Sequence, residues 1–461
     1  MKPLLFIDFG STYTKITAVD LENESVIGTA SSFSTVSSDI NDGLENAQNI
    51  LYKQTGIRDY AEKYACSSAA GGLRMIACGL VTELTAKAAG LAALGAGAKL
   101  VKTYSYQLTQ SDIDEIDSLA PDIFLLTGGT DGGNRDCILH NAGMLSRCQK
   151  NFPIVIAGNR SCGDECAALI GSREVYCTAN VMPAFGQIDI LPAQEKIREI
   201  FLRSIIRAKG LSKAQSLISG IVLPTPAAVL EAVRLLADGC DGERGIGDLI
   251  CADLGGATTD IYSVSDGAPD NFNTIIKGLP EPRVKRSVEG DIGMRYSING
   301  ILLASGAGKL ASLSCLSENR VRELAEFYAQ NTEKIPDTME LINYDRALAA
   351  CAVKTALERH AGTLRQTYTP IGEAFIQTGK NLRAVNTFIL TGGALISARS
   401  PDEIAALALE NQNPSVLTPV SAKVLVDRKY ILASMGLLAR FYPGAALRIM
   451  KKEVIGYAAS E

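Results

Sequence analysis

The chain has no tryptophan, only two histidines and 6% aromatic residues in a length of 461. With His140 and His360 as the sole imidazoles, far apart in sequence, a catalytic or zinc centre built on histidine is disfavoured. There is no apolar run long enough to span a bilayer. The start, MKPLLFIDFG, has too short an apolar run for a signal peptide and is interrupted by Asp8. Positive charge is not in excess: a net charge of −5 and a pI near 5.4 argue against nucleic acid as the main partner. The eleven cysteines include no CxxC pair and no dense spacing, which fits reduced thiols in a cytoplasmic protein. Five of them, Cys137, Cys148, Cys162, Cys166 and Cys177, fall in one stretch, and Cys162 and Cys166 share a helix face; packed thiols explain them better than a metal centre does. With 47% hydrophobic and 21% charged residues, the chain suits a globular protein of two or more domains.

What is present is a polar glycine turn between two strands, and it occurs twice. Residues 251–262 read CADLGGATTDIY. Gly255 and Gly256 lack the Cβ that would hold a ligand off, Thr258 and Thr259 add hydroxyl donors, and Asp253 and Asp260 place carboxylates suited to a Mg²⁺ shell at the two ends. Residues 4–19, LLFIDFGSTYTKITAV, repeat the device with Asp8, Gly10, Ser11, Thr12 and Lys15. Turns of this kind aim backbone N–H groups at phosphate oxygens. Residues 386–395, NTFILTGGAL, end an apolar strand in Gly392 and Gly393, where backbone can approach a flat nucleoside. Two such hairpins, far apart in sequence, predict a duplicated α/β core in which each half offers one turn to the same phosphate chain.

In this order the three pieces resemble the phosphate-1, phosphate-2 and adenosine motifs of the superfamily of acetate and sugar kinases, heat-shock chaperones and actin. Residues 225–232 (TPAAVLEA) and 429–439 (KYILASMGLLA) resemble its two connecting helices. The resemblance implies an actin-like ATPase core: two ribonuclease-H-like domains around a nucleotide cleft, with ATP and Mg²⁺ as cofactors. It implies Asp8 and Asp253 as the catalytic, metal-holding carboxylates. It implies Gly10, Ser11, Thr12, Lys15, Gly255, Gly256, Thr258, Thr259, Gly392 and Gly393 as nucleotide contacts. Relatives with efficient hydrolysis often carry a glutamate just before the first connecting helix; Leu223 and Pro224 stand there instead, which implies a slow ATPase acting as a switch. Closure of the halves, hinged near 225–231 and 429–436, is the expected response to nucleotide.

Taken in order, residues 4–9, 14–19 and 25–31 predict antiparallel strands, and 42–54 a helix. From 97 to 180, strands (99–104, 122–127, 153–157, 174–178) alternate with helices (111–119, 134–148, 160–170), the pattern of a small parallel αβ layer. Ser111 and Asp114 form a capping-box pattern. The expected division is 1–96, first ATPase half; 97–180, inserted αβ domain for partner docking; 181–211, crossing helix; and 212–461, second half. Within the last, a helical subdomain is expected over about 290–380, with helices dominating from 318 to 377. The basic tail 448–452 reads as a solvated end.

The chain as a whole is similar to the glutamate mutase accessory family, called MutL or GlmL, through IDFGSTYTK at 7–15, LTGGTDGG at 126–133, ADLGGATTD at 252–260 and VEGDIGMRY at 288–296. That similarity implies an ATP-dependent, chaperone-like reactivating factor that releases damaged cobalamin from an adenosylcobalamin-dependent aminomutase. Its partners would be mutase subunits and nucleotide, with no nucleic acid, no membrane and room for a homo-oligomer. Two alternatives stay open. One is an ATP-dependent activator of a 2-hydroxyacyl-CoA dehydratase, whose opening motif resembles residues 10–15 and which needs a cysteine-ligated iron–sulfur cluster. The other is an actin-like filament protein.

Overall fold

The computed structural model describes every residue except 1, 11–12, 34–39, 69–72, 209–219, 371, 411–412 and 457–461. The chain divides into two compact units, Met1–Ala228 with Gly278–Pro280, and Val229–Lys277 with Glu281–Glu461.

In the first unit, β1 (Leu4–Phe9), β2 (Tyr13–Asp20) and β3 (Ser25–Phe33) form an antiparallel meander. β1 is buried along its whole length, which its apolar run anticipates, and Asp8 is the one charged residue it takes inside. β4 (Lys63–Ser67) and β10 (Gly220–Pro224) then add in parallel, giving the order β10-β4-β1-β2-β3. Helix Ile40–Thr55 lays Leu44, Ala47 and Leu51 on this sheet. Because β10 is its fifth strand, the first unit runs past the expected boundary at 211.

The inserted layer is a second, wholly parallel sheet: β5 (Arg74–Gly79), β6 (Lys99–Ser105), β7 (Ile123–Leu126), β8 (Ile154–Ile156) and β9 (Val175–Cys177), in the order β6-β5-β7-β8-β9. It therefore begins at Arg74 rather than 97, with β5 at its centre. One face shares a single core with the first sheet, through the alanines of helix Lys87–Gly95 and through Ile197, Ile200 and Phe201 of helix Leu191–Ala208. The other face packs on helices Gln110–Leu119, Asp136–Leu145 and Gly163–Ile170. Strand order reverses between β5 and β7, the point at which open αβ sheets form a crevice. The capping box of helix Gln110–Leu119 lies on Thr109 and Asp112, two residues before Ser111 and Asp114.

The second unit opens its sheet after a short ribbon, β11 (Gly239–Cys240) with β12 (Glu243–Arg244). Its main sheet combines antiparallel β13 (Leu249–Leu254), β14 (Thr259–Val264) and β16 (Val284–Glu289) with parallel β19 (Thr387–Thr391) and β20 (Lys423–Val426). The order β16-β14-β13-β19-β20 repeats that of the first sheet, strand for strand and sense for sense. This is the duplicated ribonuclease-H-like core of the actin-like ATPase fold. Helices Ile298–Ser305, Ala307–Ser314, Glu318–Gln330 and Met339–His360 pack together over β13 and β14. They stop at His360, not at 377. Beyond Gly362, β17 (Thr363–Thr369) and β18 (Gly372–Thr378) pair with β15 (Thr274–Lys277), as befits threonine-rich segments without a helical apolar stripe. The basic tail is not a solvated end either: Arg448 and Lys451 both bond Glu243 of β12, at 3.0 and 3.1 Å. No helix among the described residues is long and apolar enough to cross a membrane.

Candidate functional site

Both glycine turns close in the same way. The amide of Gly10 donates to the Tyr13 carbonyl at 3.0 Å, and that of Gly255 to the Thr258 carbonyl at 2.9 Å. A Cβ on Gly10 would stand 2.5 Å from the Tyr13 oxygen, so no other residue closes that turn. Ser11 and Thr12 lie outside the described residues.

At the end of β1, Asp8 is 4% exposed and well held. The Thr225 hydroxyl donates to its Oδ1 at 2.6 Å, the Cys66 thiol faces the same oxygen at 3.6 Å, and Lys15 Nζ reaches Oδ2 at 3.4 Å. Lys15 thus pairs across the strands with Asp8 rather than extending into solvent. Burial, and then the Asp8 charge, hold the Cys66 thiol well above its usual range, so it serves as a proton donor to Asp8 and not as a nucleophile.

In the second unit one sheet edge gathers the remaining predicted residues. β13 delivers Asp253 and the turn 255–258, and its parallel neighbour β19 delivers Gly392 and Gly393 beside Asp253. Gly392, at φ +94°, approaches so closely that a Cβ there would lie 2.4 Å from the Leu254 carbonyl and 2.7 Å from Asp253 Oδ1. The polarity of the turn is the telling feature. Its carbonyls are engaged from behind: Gly255 O accepts from the Met294 amide at 3.1 Å, and Gly256 O from the amides of Arg295 and Tyr296, both at 2.9 Å. Among the described residues nothing accepts from the amides of Gly256, Ala257 and Thr258. Three successive N–H groups without protein acceptors form a cradle for an anion.

Two predicted hydroxyl and carboxylate roles are taken up locally. Thr259 is fully buried and donates to the Ile292 carbonyl at 2.9 Å. Asp260 faces the buried guanidinium of Arg286 at 2.6 Å, which assigns it to a core ion pair instead of a metal shell. Thr258, in contrast, is part-exposed, with its hydroxyl 3.4 Å from Asp260 Oδ2.

One carboxylate was missed. Asp427, 1% exposed, accepts from the amides of Ile431 and Leu432 at 2.9 and 3.1 Å and from the Thr391 hydroxyl at 3.1 Å, tying β19 to the start of helix Leu432–Leu438. Its signal was there to read: like Asp8 and Asp253, it ends or closely follows an apolar strand. Among the described residues no three His, Cys, Asp or Glu side chains converge as metal ligands. A Mg²⁺ carried in on phosphates needs only one or two carboxylates and water, and each unit by itself offers one strand-end carboxylate of that kind, Asp8 in the first and Asp253 in the second. The thiols of Cys162 and Cys166 are packed in the apolar core of the inserted layer.

The chain is 14% identical to the xylulose kinase of Bifidobacterium adolescentis, covering 98% of this chain and 94% of that one at a TM-score of 0.32. It is 9% identical to the activator of the 2-hydroxyisocaproyl-CoA dehydratase of Clostridium difficile, solved with ADPNP bound, over 100% and 98% at a TM-score of 0.32. The fold assignment rests on strand order and not on these distant likenesses. The sequence relationships are much closer. Protein MutL of Clostridium tetanomorphum is 46% identical over 460 residues, which is 99% of this chain and 100% of that protein. The model of the MutL protein family matches residues 4–454, and the chain belongs to that family.

Proposed function

We propose that this protein is an ATP-dependent reactivating factor for an adenosylcobalamin-dependent aminomutase of the glutamate mutase type. In this reading, nucleotide binding and slow hydrolysis drive the release of damaged cobalamin. The observation that carries the nucleotide part is the turn at 255–258, where the carbonyls of Gly255 and Gly256 are engaged from behind while the amides of Gly256, Ala257 and Thr258 have no protein acceptor among the described residues. Asp8 and Asp253 are the carboxylates that would hold Mg²⁺, which supplies charge neutralisation on the phosphates. Gly10, Ser11, Thr12, Lys15, Gly255, Gly256 and Thr258 contact phosphate, and Gly392 and Gly393 face the nucleoside; Thr259 secures the turn from within. Leu223 and Pro224, at the end of β10, offer no carboxylate to orient an attacking water, in keeping with a switch and not a fast hydrolase.

The mutase as client comes from the family resemblance. We assign docking to the inserted layer, at the loop 128–135 on the C-terminal edge of β7. Buried Asn159 and Asn180 hold this loop open, donating to the carbonyls of Gly133 and Gly129 and leaving Arg135 and Arg160 exposed. One face of this layer belongs to the core of the first unit, so its removal would unfold that unit; surface substitutions are the usable test. The wild-type protein with Mg·ATP is expected to restore activity to cobalamin-inactivated mutase, and Arg135→Glu with Arg160→Glu to bind ATP normally but fail to do so. Unimpaired reactivation by the double variant sinks the docking assignment, and absence of ATP-dependent reactivation by the wild type sinks the function.

A further inference from the structure

The segment 288–296 stands between the phosphate-facing turn and the helices of the second unit, and one residue of it has bonds on both sides. Through its amide, Arg295 holds Gly256 O at 2.9 Å, flanked by the amides of Met294 and Tyr296 on the same turn. Its guanidinium runs the other way. There Nη2 reaches Asp345 Oδ2 of helix Met339–His360 at 2.9 Å and the Lys334 carbonyl at 3.2 Å, and the group lies 4.0 Å from the ring centroid of Tyr328 in helix Glu318–Gln330. Both charged partners are largely buried, with side-chain exposures of 13% and 17%.

This cluster is incomplete in an informative way. The buried Tyr328 hydroxyl and the buried Asp345 Oδ1, a donor and an acceptor, both lack a hydrogen-bond partner. Burial raises the Asp345 carboxyl above its ordinary range, opposed first by the Arg295 charge and least by the neighbouring Tyr328 hydroxyl, yet no bond between hydroxyl and carboxylate is completed. Leaving such groups unpaired in the interior is costly, so a small movement of the two helices that joined them would be favoured. Arg295 is the link through which the turn can cause that movement. Its backbone must follow the Gly256 carbonyl, while its side chain is fixed to both helices and to the loop 331–338, which presents exposed Ile335.

We propose that Arg295 is a positioning residue that aims the turn amides at phosphate and transmits phosphate occupancy to the helices Glu318–Gln330 and Met339–His360. In the occupied state Tyr328 donates to Asp345. The proposal rests on the nucleotide reading above and adds the route by which the bound phosphate is sensed.

The test uses the full chain. Calorimetry with Mg·ATP and with adenosine is combined with hydrogen–deuterium exchange of residues 318–345, for the wild type and for Arg295→Gln, Arg295→Lys and Tyr328→Phe. In the wild type, Mg·ATP should slow exchange over 328–345 and adenosine should not. Arg295→Gln should weaken Mg·ATP binding by about tenfold, the scale of one charge-assisted hydrogen bond, spare adenosine, and abolish the protection, with Arg295→Lys restoring part of it. Tyr328→Phe should lose the ATP-induced protection while leaving stability without nucleotide unchanged, an outcome that a merely structural tyrosine would not give. Equal ATP-induced protection in the wild type and Arg295→Gln overturns the proposal, as does an equal loss of adenosine and ATP affinity. If the wild type binds Mg·ATP without any change over 328–345, this inference alone fails; if it binds no nucleotide, the reading of the site fails with it.

Discussion

Lys380 is fully buried, between the end of β18 and the segment leading into β16, where Nζ donates to the carbonyls of Pro282 and Arg283 at 2.9 and 2.6 Å. Burial first, and then the positive charges of Lys285 and Arg283, opposed by Glu281 and Asp248, bring its pKa down to about 7. The unfolded chain keeps this amine protonated to about pH 10.4. Between the two values the unfolded state binds more protons, so stability should rise with pH; the penalty is present in full below pH 7 and relieved above it. Integrated from pH 7 to pH 9, the relief is on the order of 2 kcal/mol. Buried thiols raised above their normal range act in the opposite direction near pH 9, and buried His360 matters only below its normal pKa near 6.5. A difference between the wild type and Lys380→Met cancels both. Urea unfolding at pH 7 and pH 9, followed by circular dichroism, should show the wild type's advantage over the variant widening by about 2 kcal/mol. A gap independent of pH would refute the reasoning, because it would mean that Lys380 holds its ordinary proton affinity inside the fold.

Gly392→Ala forces a Cβ to within 2.4 Å of the Leu254 carbonyl at a positive φ; it should destabilise the second unit by more than about 1 kcal/mol in denaturant and impair ATP binding in calorimetry. Arg286→Leu strands the Asp260 carboxylate in the core and should cost about 3–5 kcal/mol in urea, most of it recovered when Asp260→Leu is added. Of eleven thiols, Cys177 and Cys315 are exposed and Cys240 is half-buried; a thiol reagent should label two quickly and one slowly in the native protein, with the remaining eight reacting only after denaturation. Lys451→Glu places two carboxylates together at β12 and should lower the unfolding midpoint, whereas a solvated tail would leave it unchanged.

The two hairpins were legible because every signal they need is local: an apolar strand, a glycine at a turn that admits no Cβ, and a second strand. Alternation likewise revealed the inserted layer from β6 onward. Its central strand, β5, was passed over because Arg-Met-Ile-Ala-Cys-Gly has one β-branched residue and runs on towards an alanine-rich helix, so that only its neighbours on both sides make it a strand. The strands after Gly362 lost to the long helix before them for a related reason, since the pairing that stabilises β17 comes from β18 and ultimately from β15, some ninety residues earlier in the chain. The Mg²⁺ role considered for Asp260 and the solvated tail were both overturned by partners distant in sequence, Arg286 and Glu243, which no local pattern announces. Carboxylate type and position told where charge sits, but not what neutralises it.

The central claim is that the two strand-end carboxylates and the glycine turns hold Mg·ATP. Calorimetric titration of the wild type, Asp8→Asn and Asp253→Asn with ATP, with Mg²⁺ and again with a chelator, tests it most directly. Each variant keeps the volume of its side chain, removes the charge that a cation requires and turns one accepting oxygen into a donating amide. The account predicts that both variants bind ATP more weakly than the wild type in Mg²⁺ and no differently without it. Wild-type affinity in Mg²⁺ for both variants would contradict it.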